Sequence, residues 1–240
     1  MERYIDMHCH ILPEVDDGAA SISETIEMLQ IAYEEGIRCI IATPHYHPRR
    51  GHEHPDVLRK KLSEVRGLAR QIDEKFRIYL GTEIYFGQDI VDKLRQGDIL
   101  TLNRRDYVLV EFSPSESFNY IQQSLQQIQM AGYQVILAHA ERYTCLRDDI
   151  EAAEHIWDMG SNIQINAGSI TGENGGKAKR FVRELMERDM VFGVGTDAHS
   201  SDKRAPRMKK AAAYVKKKYG EDYMRRVFFS NAASLLRKKK

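Results

Sequence analysis

Cysteine is scarce in this chain. Its 240 residues include three cysteines, Cys9, Cys39 and Cys145, and no two of them form a Cys-x-x-Cys pair. Three scattered cysteines are too few for a disulfide framework, and their spacing excludes a zinc site built on thiolate pairs. The simplest interpretation is a protein of a reducing compartment, so any metal site has to use other side chains.

Long apolar runs and a net charge of one sign are also missing. Nowhere do eighteen apolar residues follow one another, and the amino-terminal MERYIDMHCH lacks the apolar segment of a signal peptide. The 36 lysines and arginines balance 35 aspartates and glutamates, which gives no general attraction to nucleic acid or anionic membranes. No glycine-rich nucleotide-binding motif joins a predicted strand to a predicted helix. These absences predict a soluble cytoplasmic protein with no nucleic-acid partner and no membrane insertion.

Short β-type runs alternate with amphipathic segments along the whole chain. The seven runs are YIDMH, IRCIIAT, RIYLGTE, YVLVEF, QVILAH, SNIQIN and VFGVGT, and helix-like stretches lie between most of them. Gly36, Gly132 and Gly160 are predicted to end helices, and Ser21 or Ser23 with Glu24 to begin the first. Strands alternating with helices form parallel sheets. The pattern predicts a single α/β domain over residues 1–240, a distorted seven-stranded (β/α)7 TIM-like barrel, with an open doubly wound sheet as the alternative.

Histidines and carboxylates end six of the seven predicted strands. In chain order these residues are His8 and His10, His45, Glu83, Glu111, His139, and Asp197 with His199. The carboxyl ends of parallel barrel strands share one rim, where such enzymes place their active sites. With Asp17 from the first loop, the rim offers nine candidate ligands, which is enough for two or three metal ions. Imidazole and carboxylate ligands without thiolate favour Mn²⁺, Fe²⁺ or Zn²⁺.

The spacing of these residues has a geometric reason. Side chains two positions apart in an extended strand point the same way, so His8 and His10 can bind one metal while Cys9 points elsewhere. Asp197 and His199 have the same spacing. Outside this set, His155 and Trp157 on a predicted helix are expected to be structural. We expect the loop histidines His47, His52 and His54 to be solvated or to line the rim, and the terminal RKKK to be a solvated tail.

Several motifs together resemble a known superfamily. DMHCHILPEVDDGA, TPHYHP, GTEIY, EF, AHAERY and GTDAH occur in the order found in the polymerase and histidinol phosphatase (PHP) superfamily, from Tyr4 to about Arg207. More narrowly, they resemble its manganese-dependent protein-tyrosine phosphatases, encoded beside bacterial capsule and exopolysaccharide genes. The resemblance implies a distorted (β/α)7 barrel and catalytic arginines at Arg142 and Arg204. It also implies three metal sites: His8, His10, Glu83 and Asp197; Glu83, Glu111 and His139; and Asp17, His45 and His199.

The chemistry that such groups permit is phosphate-ester hydrolysis. Clustered metals lower the pKa of bound water and neutralise charge on phosphoryl oxygens, and Arg142 and Arg204 could clamp those oxygens. None of the three cysteines is followed six positions later by arginine, as a cysteine-based tyrosine phosphatase requires, so metal-bound hydroxide is the expected nucleophile. The resemblance implies a tyrosine-phosphorylated protein as substrate, in particular a bacterial tyrosine kinase. The role of Asp16, next to Asp17, stays open.

Three alternatives share much of this pattern. A small-molecule phosphatase of the same superfamily, such as a histidinol phosphatase, would carry almost the same motifs. An amidohydrolase also begins with His-x-His on its first strand, but usually has a metal-bridging lysine where Glu83 stands here. A catalytically silent metal-binding module would keep the ligands without turnover.

Overall fold

The computed structural model describes residues 3–49 and 51–237 as an alternation of strands and helices. The strands are β1 (Tyr4–Cys9), β2 (Ile37–Ala42), β3 (His45–Tyr46), β4 (Arg77–Leu80), β5 (Glu83–Tyr85), β6 (Tyr107–Glu111), β7 (Gln134–Leu137), β8 (Asn162–Asn166) and β9 (Gly193–Gly195). The helices are α1 (Ile22–Glu34), α2 (Pro55–Ile72), α3 (Ile90–Gln96), α4 (Phe118–Met130), α5 (Thr144–Arg147), α6 (Ile150–Asp158), α7 (Ala167–Thr171), α8 (Gly176–Glu187), α9 (Lys209–Tyr219), α10 (Glu221–Arg225) and α11 (Asn231–Leu236). Among these described helices, none is both long and apolar enough to cross a membrane.

The nine strands occupy seven positions in one curled parallel sheet. They pair in the orders β1-β2-β4 and β3-β5-β6-β7-β8-β9, and every ladder is parallel. β3 continues β2 after a two-residue break that contains Pro44, which has no N–H to donate to a ladder. Backbone hydrogen bonds from Gly81 to Ala42 (2.8 Å) and from Glu83 to Pro44 (3.1 Å) join the two groups of strands. The seven predicted strands are therefore confirmed.

The sheet closes where β9 meets β1, a junction that we call the seam. Cys9 and Ala198 form an isolated parallel bridge, and the Asp197 N–H donates to the His8 carbonyl at 2.8 Å. Glycine permits this approach: a Cβ on Gly195 would lie 2.6 Å from the Cβ of His8, closer than packed atoms allow. Closure confirms the distorted (β/α)7 barrel and rules out the open sheet.

Two apolar clusters hold the barrel together. The larger one lies between the strands and the surrounding helices, with Met28, Leu62 and Leu125 among its buried members. The smaller one joins strand residues such as Met7 to Leu235 of α11. Because α11 also packs against β1 and the helical turn that precedes β6, it covers the amino-terminal end of the barrel. The carboxyl-terminal rim stays accessible.

The helix ends agree with the sequence signals. Ser21 caps α1 by accepting from the Glu24 N–H at 3.2 Å, and Gly36, Gly132 and Gly160 follow the helices they were predicted to end. The short helices α3, α5 and α7 and the carboxyl-terminal helices α9 to α11 were not predicted. In the predicted RKKK tail, Lys238–Lys240 lie outside the described residues.

Candidate metal centre

The nine predicted ligands converge at the carboxyl-terminal rim. Potential ligand atoms lie within 4.8 Å of one another in three overlapping groups. The groups are His8, His10, Glu83 and Asp197; His45, Glu83 and Glu111; and His10, Asp17, His45 and His199. The first contains the same residues as the first site implied by the family resemblance. The second has His45 where His139 was expected, and the third gains His10.

Glu83 lies at the centre of these groups. Its carboxylate is fully buried, and Oε2 lies 3.0 Å from His8 Nε2, 3.1 Å from His10 Nε2 and 3.1 Å from His45 Nδ1. The other oxygen, Oε1, lies 2.8 Å from His139 Nε2. One carboxylate therefore contacts four imidazole rings, a geometry suited to bridging adjacent cations.

The buried ligand atoms fit a divalent metal. Glu83 Oε2 and Asp197 Oδ1 are buried and accept no hydrogen bond within the described part of the chain, although histidine ring nitrogens lie 3.0–3.6 Å from them. His8 Nε2 and His10 Nε2 lie 3.2 Å apart, so two ring nitrogens point into the same small space. Burying such polar atoms without hydrogen bonds is costly, and a cation bound between them would satisfy all of them.

Other rim residues orient the histidine rings. Gln164 Oε1 can only accept, and it takes hydrogen bonds from His8 Nδ1 (3.1 Å) and the His139 backbone N–H (2.8 Å). The proton of His8 is thereby fixed on Nδ1, so that Nε2 could offer its lone pair to a metal. Asp16 acts in the same way on His10 Nδ1 at 2.8 Å and also accepts from the His45 N–H at 3.0 Å. Asp16 is therefore an orienting residue.

Two further ligand candidates, Asp17 and Glu111, approach the same histidines from the cavity side. Asp17 Oδ1 lies 3.3 Å from His45 Nε2 and 3.4 Å from His199 Nε2. Glu111 uses one oxygen toward His45 Nδ1 (3.3 Å) and the other toward His139 Nε2 (3.5 Å). His45 therefore belongs to two groups at once, with one ring nitrogen directed toward each.

Backbone strain marks two of these positions. His139 has φ +34° and Asp197 has φ +54°, in the left-handed region that side chains other than glycine rarely adopt. Each such residue costs on the order of 1 kcal/mol or more, and such residues cluster at functional sites. Each of the two residues lies two positions after the end of a strand, β7 or β9, where the chain leaves the sheet at the rim.

Both predicted arginines contact Asp197. Arg142 Nη2 forms a short ion pair with Asp197 Oδ2, and Arg204 Nη2 lies 3.0 Å from the same oxygen. Asn166 Nδ2 donates to it as well, at 3.0 Å. Burial alone would raise the pKa of the Asp197 carboxyl, but neighbouring positive charge, that of Arg142 included, holds it well below its usual range. The carboxylate is therefore fixed in its charged form, with Oδ1 directed toward His8 and His10, at 3.6 Å from each.

The electrostatics of the rim favour cationic histidines in the protein alone. Burial would lower the pKa of His10, but the Asp16 carboxylate raises it to about 9. The pKa of His45 is raised to about 11, because hydrogen bonds to Asp17 and Glu111 outweigh burial. These protons occupy positions that a metal cation would take, and ligation would displace them.

A cavity of about 800 Å³ opens above the ligands. Its wall includes Asp17, His45, Glu111, His139 and His199, and both Arg142 and Arg204 line it. The loop histidines His47 and His52 also line this cavity, as expected for the rim. His54 instead caps α2, accepting from the Asp56 N–H.

Sequence reasoning missed several buried polar residues around the site. Asp6 accepts hydrogen bonds from the Thr196 N–H (2.9 Å) and hydroxyl (2.5 Å), which tie β1 to β9 at the seam. Burial raises the pKa of Asp6 to about 6. Glu141 is buried and accepts from the Asn166 N–H and the Ser169 hydroxyl. A polar residue inside a predicted strand could have identified some of them from the sequence, as with Asp6 in YIDMH or Gln164 in SNIQIN.

The barrel is closed and parallel, and its rim brings histidines and carboxylates together beneath an open cavity. These features define the class of metal-dependent barrel hydrolases. A family model described as "Capsular polysaccharide synthesis, CpsB/CapC" matches residues 4–237. The chain belongs to this CpsB/CapC family.

Named relatives and solved structures agree with this assignment. Tyrosine-protein phosphatase CpsB of Streptococcus pneumoniae is 33% identical over 237 residues, which cover 97% of this chain and 98% of the relative. The fold also matches a crystal structure from a study of YwqE from Bacillus subtilis and CpsB from Streptococcus pneumoniae, described as metal-dependent tyrosine phosphatases. That match has a TM-score of 0.90 at 31% identity and covers 97% of this chain and 94% of that one.

A histidinol phosphate phosphatase shares the fold at much greater distance. The enzyme from Lactococcus lactis, complexed with zinc, L-histidinol and phosphate, matches with a TM-score of 0.61. Its sequence identity is 14%, over 92% of this chain and 95% of that one. The likeness shows the barrel that both proteins share and nothing finer.

Proposed function

We propose that this chain is a metal-dependent phosphoric monoester hydrolase that removes phosphate from tyrosine on a protein. One observation carries the proposal: Glu83 and four surrounding histidines lie beneath a cavity that Arg142 and Arg204 also line. Family membership supports the same activity, since relatives across the whole chain are named tyrosine-protein phosphatases. We further propose that residues 1–240 act as one domain.

The nine rim residues would hold the metals. His8, His10, Glu83 and Asp197 suit one ion; Glu83 and Glu111, with His45 or His139, suit a second; and Asp17, His45 and His199 suit a third. We propose three Mn²⁺ ions, because nitrogen and carboxylate ligands without thiolate match Mn²⁺, while Fe²⁺ or Zn²⁺ would also suit such a donor set. Bound there, the metals would activate water and neutralise charge on the phosphoryl oxygens.

The two arginines would bind the phosphoryl group. Each guanidinium presents planar N–H donors that match two oxygens of a phosphate. Arg142 approaches from the turn after His139, and Arg204 from the loop after His199. Their common contact with Asp197 Oδ2 places both guanidinium groups beside the first ligand group, which we call the inner ligand set: His8, His10, Glu83 and Asp197. A phosphate monoester held this way would lie in the cavity that the ligand candidates Asp17, His45, Glu111, His139 and His199 also line.

The cavity wall suits an aromatic leaving group. Tyr85 and Phe112 line the metal cavity beside Ser113, and aromatic side chains pack favourably against a phenyl ring. The volume of about 800 Å³ is within the range of small-molecule sites and leaves room for a residue carried on a polypeptide. A phosphotyrosine side chain would therefore place its ring between these aromatic residues and its phosphate at the arginines.

The biological setting follows from the family description. Capsular polysaccharide synthesis is the process named for the family, so we propose a role in capsule or exopolysaccharide control. The proposed substrate is a tyrosine-phosphorylated protein, specifically a bacterial tyrosine kinase, and the proposed location is the cytoplasm.

A comparison of substrates tests the proposal. We expect purified protein loaded with Mn²⁺ to hydrolyse a phosphotyrosine peptide with a higher kcat/KM than histidinol phosphate. The reverse order would assign the chain to small-molecule phosphatases. Bound metal without turnover of either substrate would reveal a silent metal-binding module, and hydrolysis of dihydroorotate in place of phosphate esters would indicate an amidohydrolase.

A further inference from the structure

A second cavity adjoins the metal cavity. It has a volume of about 760 Å³ and shares a wall with its neighbour, formed by His47, Tyr85, Phe112 and Ser113. None of the nine metal-ligand candidates lines this second cavity. Its position beyond the aromatic wall places it beside, and not above, the reacting phosphate.

Aromatic rings line this second cavity. Phe86 and Phe112 stack with their centroids 5.5 Å apart, and Tyr120 meets both edge-on, at 5.8 and 6.2 Å. Phe86 and Phe112 are buried, whereas the Tyr120 side chain at the start of α4 is 38% exposed. Phe86 and Phe112 therefore hold the Tyr120 ring in place, and the exposed part of that ring is where a further aromatic side chain can pack.

The charged groups that line this cavity balance one another. Asp89 pairs with Lys93 at 2.9 Å. The lining holds one further acid, Glu116, which accepts a hydrogen bond from the Ser117 N–H at 2.9 Å, and one base, Arg49. Because the lining has no excess charge of one sign, the arrangement favours an uncharged aromatic occupant over a charged one.

We propose that the second cavity is a specificity site for an aromatic side chain of the phosphorylated polypeptide, close in sequence to the phosphotyrosine. The inference rests on the proposed function, because it requires that the phosphotyrosine occupies the metal cavity. Two adjoining cavities of about 800 and 760 Å³, if roughly spherical, have centres on the order of 10 Å apart, a distance that an extended chain covers in about three residues at ~3.4 Å each. The aromatic residue should therefore lie within about three positions of the phosphotyrosine.

A peptide series tests this inference. Phosphotyrosine peptides with alanine at every other position are compared with peptides that carry one phenylalanine, moved from three positions before to three positions after the phosphotyrosine. We expect a single position at which phenylalanine raises kcat/KM by roughly 3- to 10-fold, the scale of one aromatic contact. The small substrate p-nitrophenyl phosphate, which cannot reach the second cavity, serves as reference.

Variants of Tyr120 test whether the second cavity causes the preference for phenylalanine. Tyr120→Ala should abolish the preference for phenylalanine and leave hydrolysis of p-nitrophenyl phosphate within about 2-fold of the parent enzyme, whereas Tyr120→Phe should keep the preference. Met130→Ala is the matched control, because Met130 is on the same helix and 89% exposed but does not line the cavity. It should behave as the parent enzyme does.

The outcomes separate this inference from the proposed function. A flat phenylalanine scan, or a preference that survives in Tyr120→Ala, overturns the specificity site while leaving the phosphatase activity intact. Hydrolysis of p-nitrophenyl phosphate without turnover of any phosphotyrosine peptide, the all-alanine one included, would instead overturn the protein substrate on which the inference rests.

Discussion

Replacing Arg142 by alanine separates a phosphate-binding role from a metal-binding role. Asp197 Oδ2 keeps two other partners in this variant, Arg204 Nη2 and Asn166 Nδ2, both at 3.0 Å. The opposite oxygen, Oδ1, is the one directed toward the histidines, so the inner ligand set should stay in place. We therefore expect Arg142→Ala to bind metal near the parent level.

The activity of Arg142→Ala should nevertheless fall steeply. Removing a donor that stabilises a charged transition state costs about 2.7–4 kcal/mol, or 10²- to 10³-fold in rate. The Arg142 side chain is 39% exposed, and solvent weakens its interactions, so the lower end, about 10²-fold in kcat/KM, applies. The loss should be equal for peptide and for p-nitrophenyl phosphate, because both present the same phosphoryl group.

Two controls accompany the measurement of kcat/KM and of metal content by elemental analysis. Arg147→Ala removes an arginine of the adjacent helix that pairs with Asp148 and lies outside the cavity, so it should be nearly silent. His139→Ala should lose both metal and activity. If Arg142→Ala kept most of its activity with full metal, Arg142 would be only an ion-pair partner of Asp197, and the positive charge would have to come from Arg204 or the metals.

Three further predictions concern the metals and the cysteines. Gln164→Leu should weaken metal binding by about 10- to 100-fold in a titration, because a ligand ring loses its orienting acceptor; unchanged affinity would refute that role. In metal-stripped protein the pKa values of His10 and His45 are raised to about 9 and 11, so calorimetry in different buffers should detect proton release on Mn²⁺ binding at pH 7, and affinity should rise with pH through about 9. Iodoacetamide should modify Cys145, the partly exposed cysteine, without loss of activity, whereas EDTA should abolish activity and Mn²⁺ restore it; full activity after prolonged dialysis against EDTA would exclude a metal mechanism.

The strand pattern was enough to predict most of the fold, and the strand-end residues were enough to predict which side chains converge at the rim. Seven β-type runs were enough to predict the barrel, because a parallel barrel repeats one local unit. The ligand candidates could be predicted together because the carboxyl ends of the strands meet at one rim. Helices such as α9, with its run of lysines, were missed because their buried faces consist mainly of alanine and valine, which gives a weak periodic signal. Exclusion of the open sheet needed the contact between β9 and β1, which no local pattern contains.

The finer geometry of the site could not be read from the sequence. His45 has ligand-facing nitrogens on both sides of its ring, so a list of strand ends could not assign it to one group. The positive φ angles of His139 and Asp197 depend on the backbone around them and leave no trace in composition. The sequence did not identify Gln164 as an orienting residue, because this role depends on hydrogen bonds to His8 and His139, which are distant from it in the chain.

The seam brings together two parts of the candidate metal centre that the ribosome synthesises at different times. His8 and His10 leave the ribosome well before Asp197 and His199, since Asp6 and Thr196, which join at the seam, are 190 positions apart. A nascent chain that ends before Asp197 cannot assemble the inner ligand set, so we expect metal loading to follow closure of the seam. An ion held by His8 and Asp197 would connect the two ends of the barrel wall as a covalent crosslink does, and would close a loop of about 190 residues.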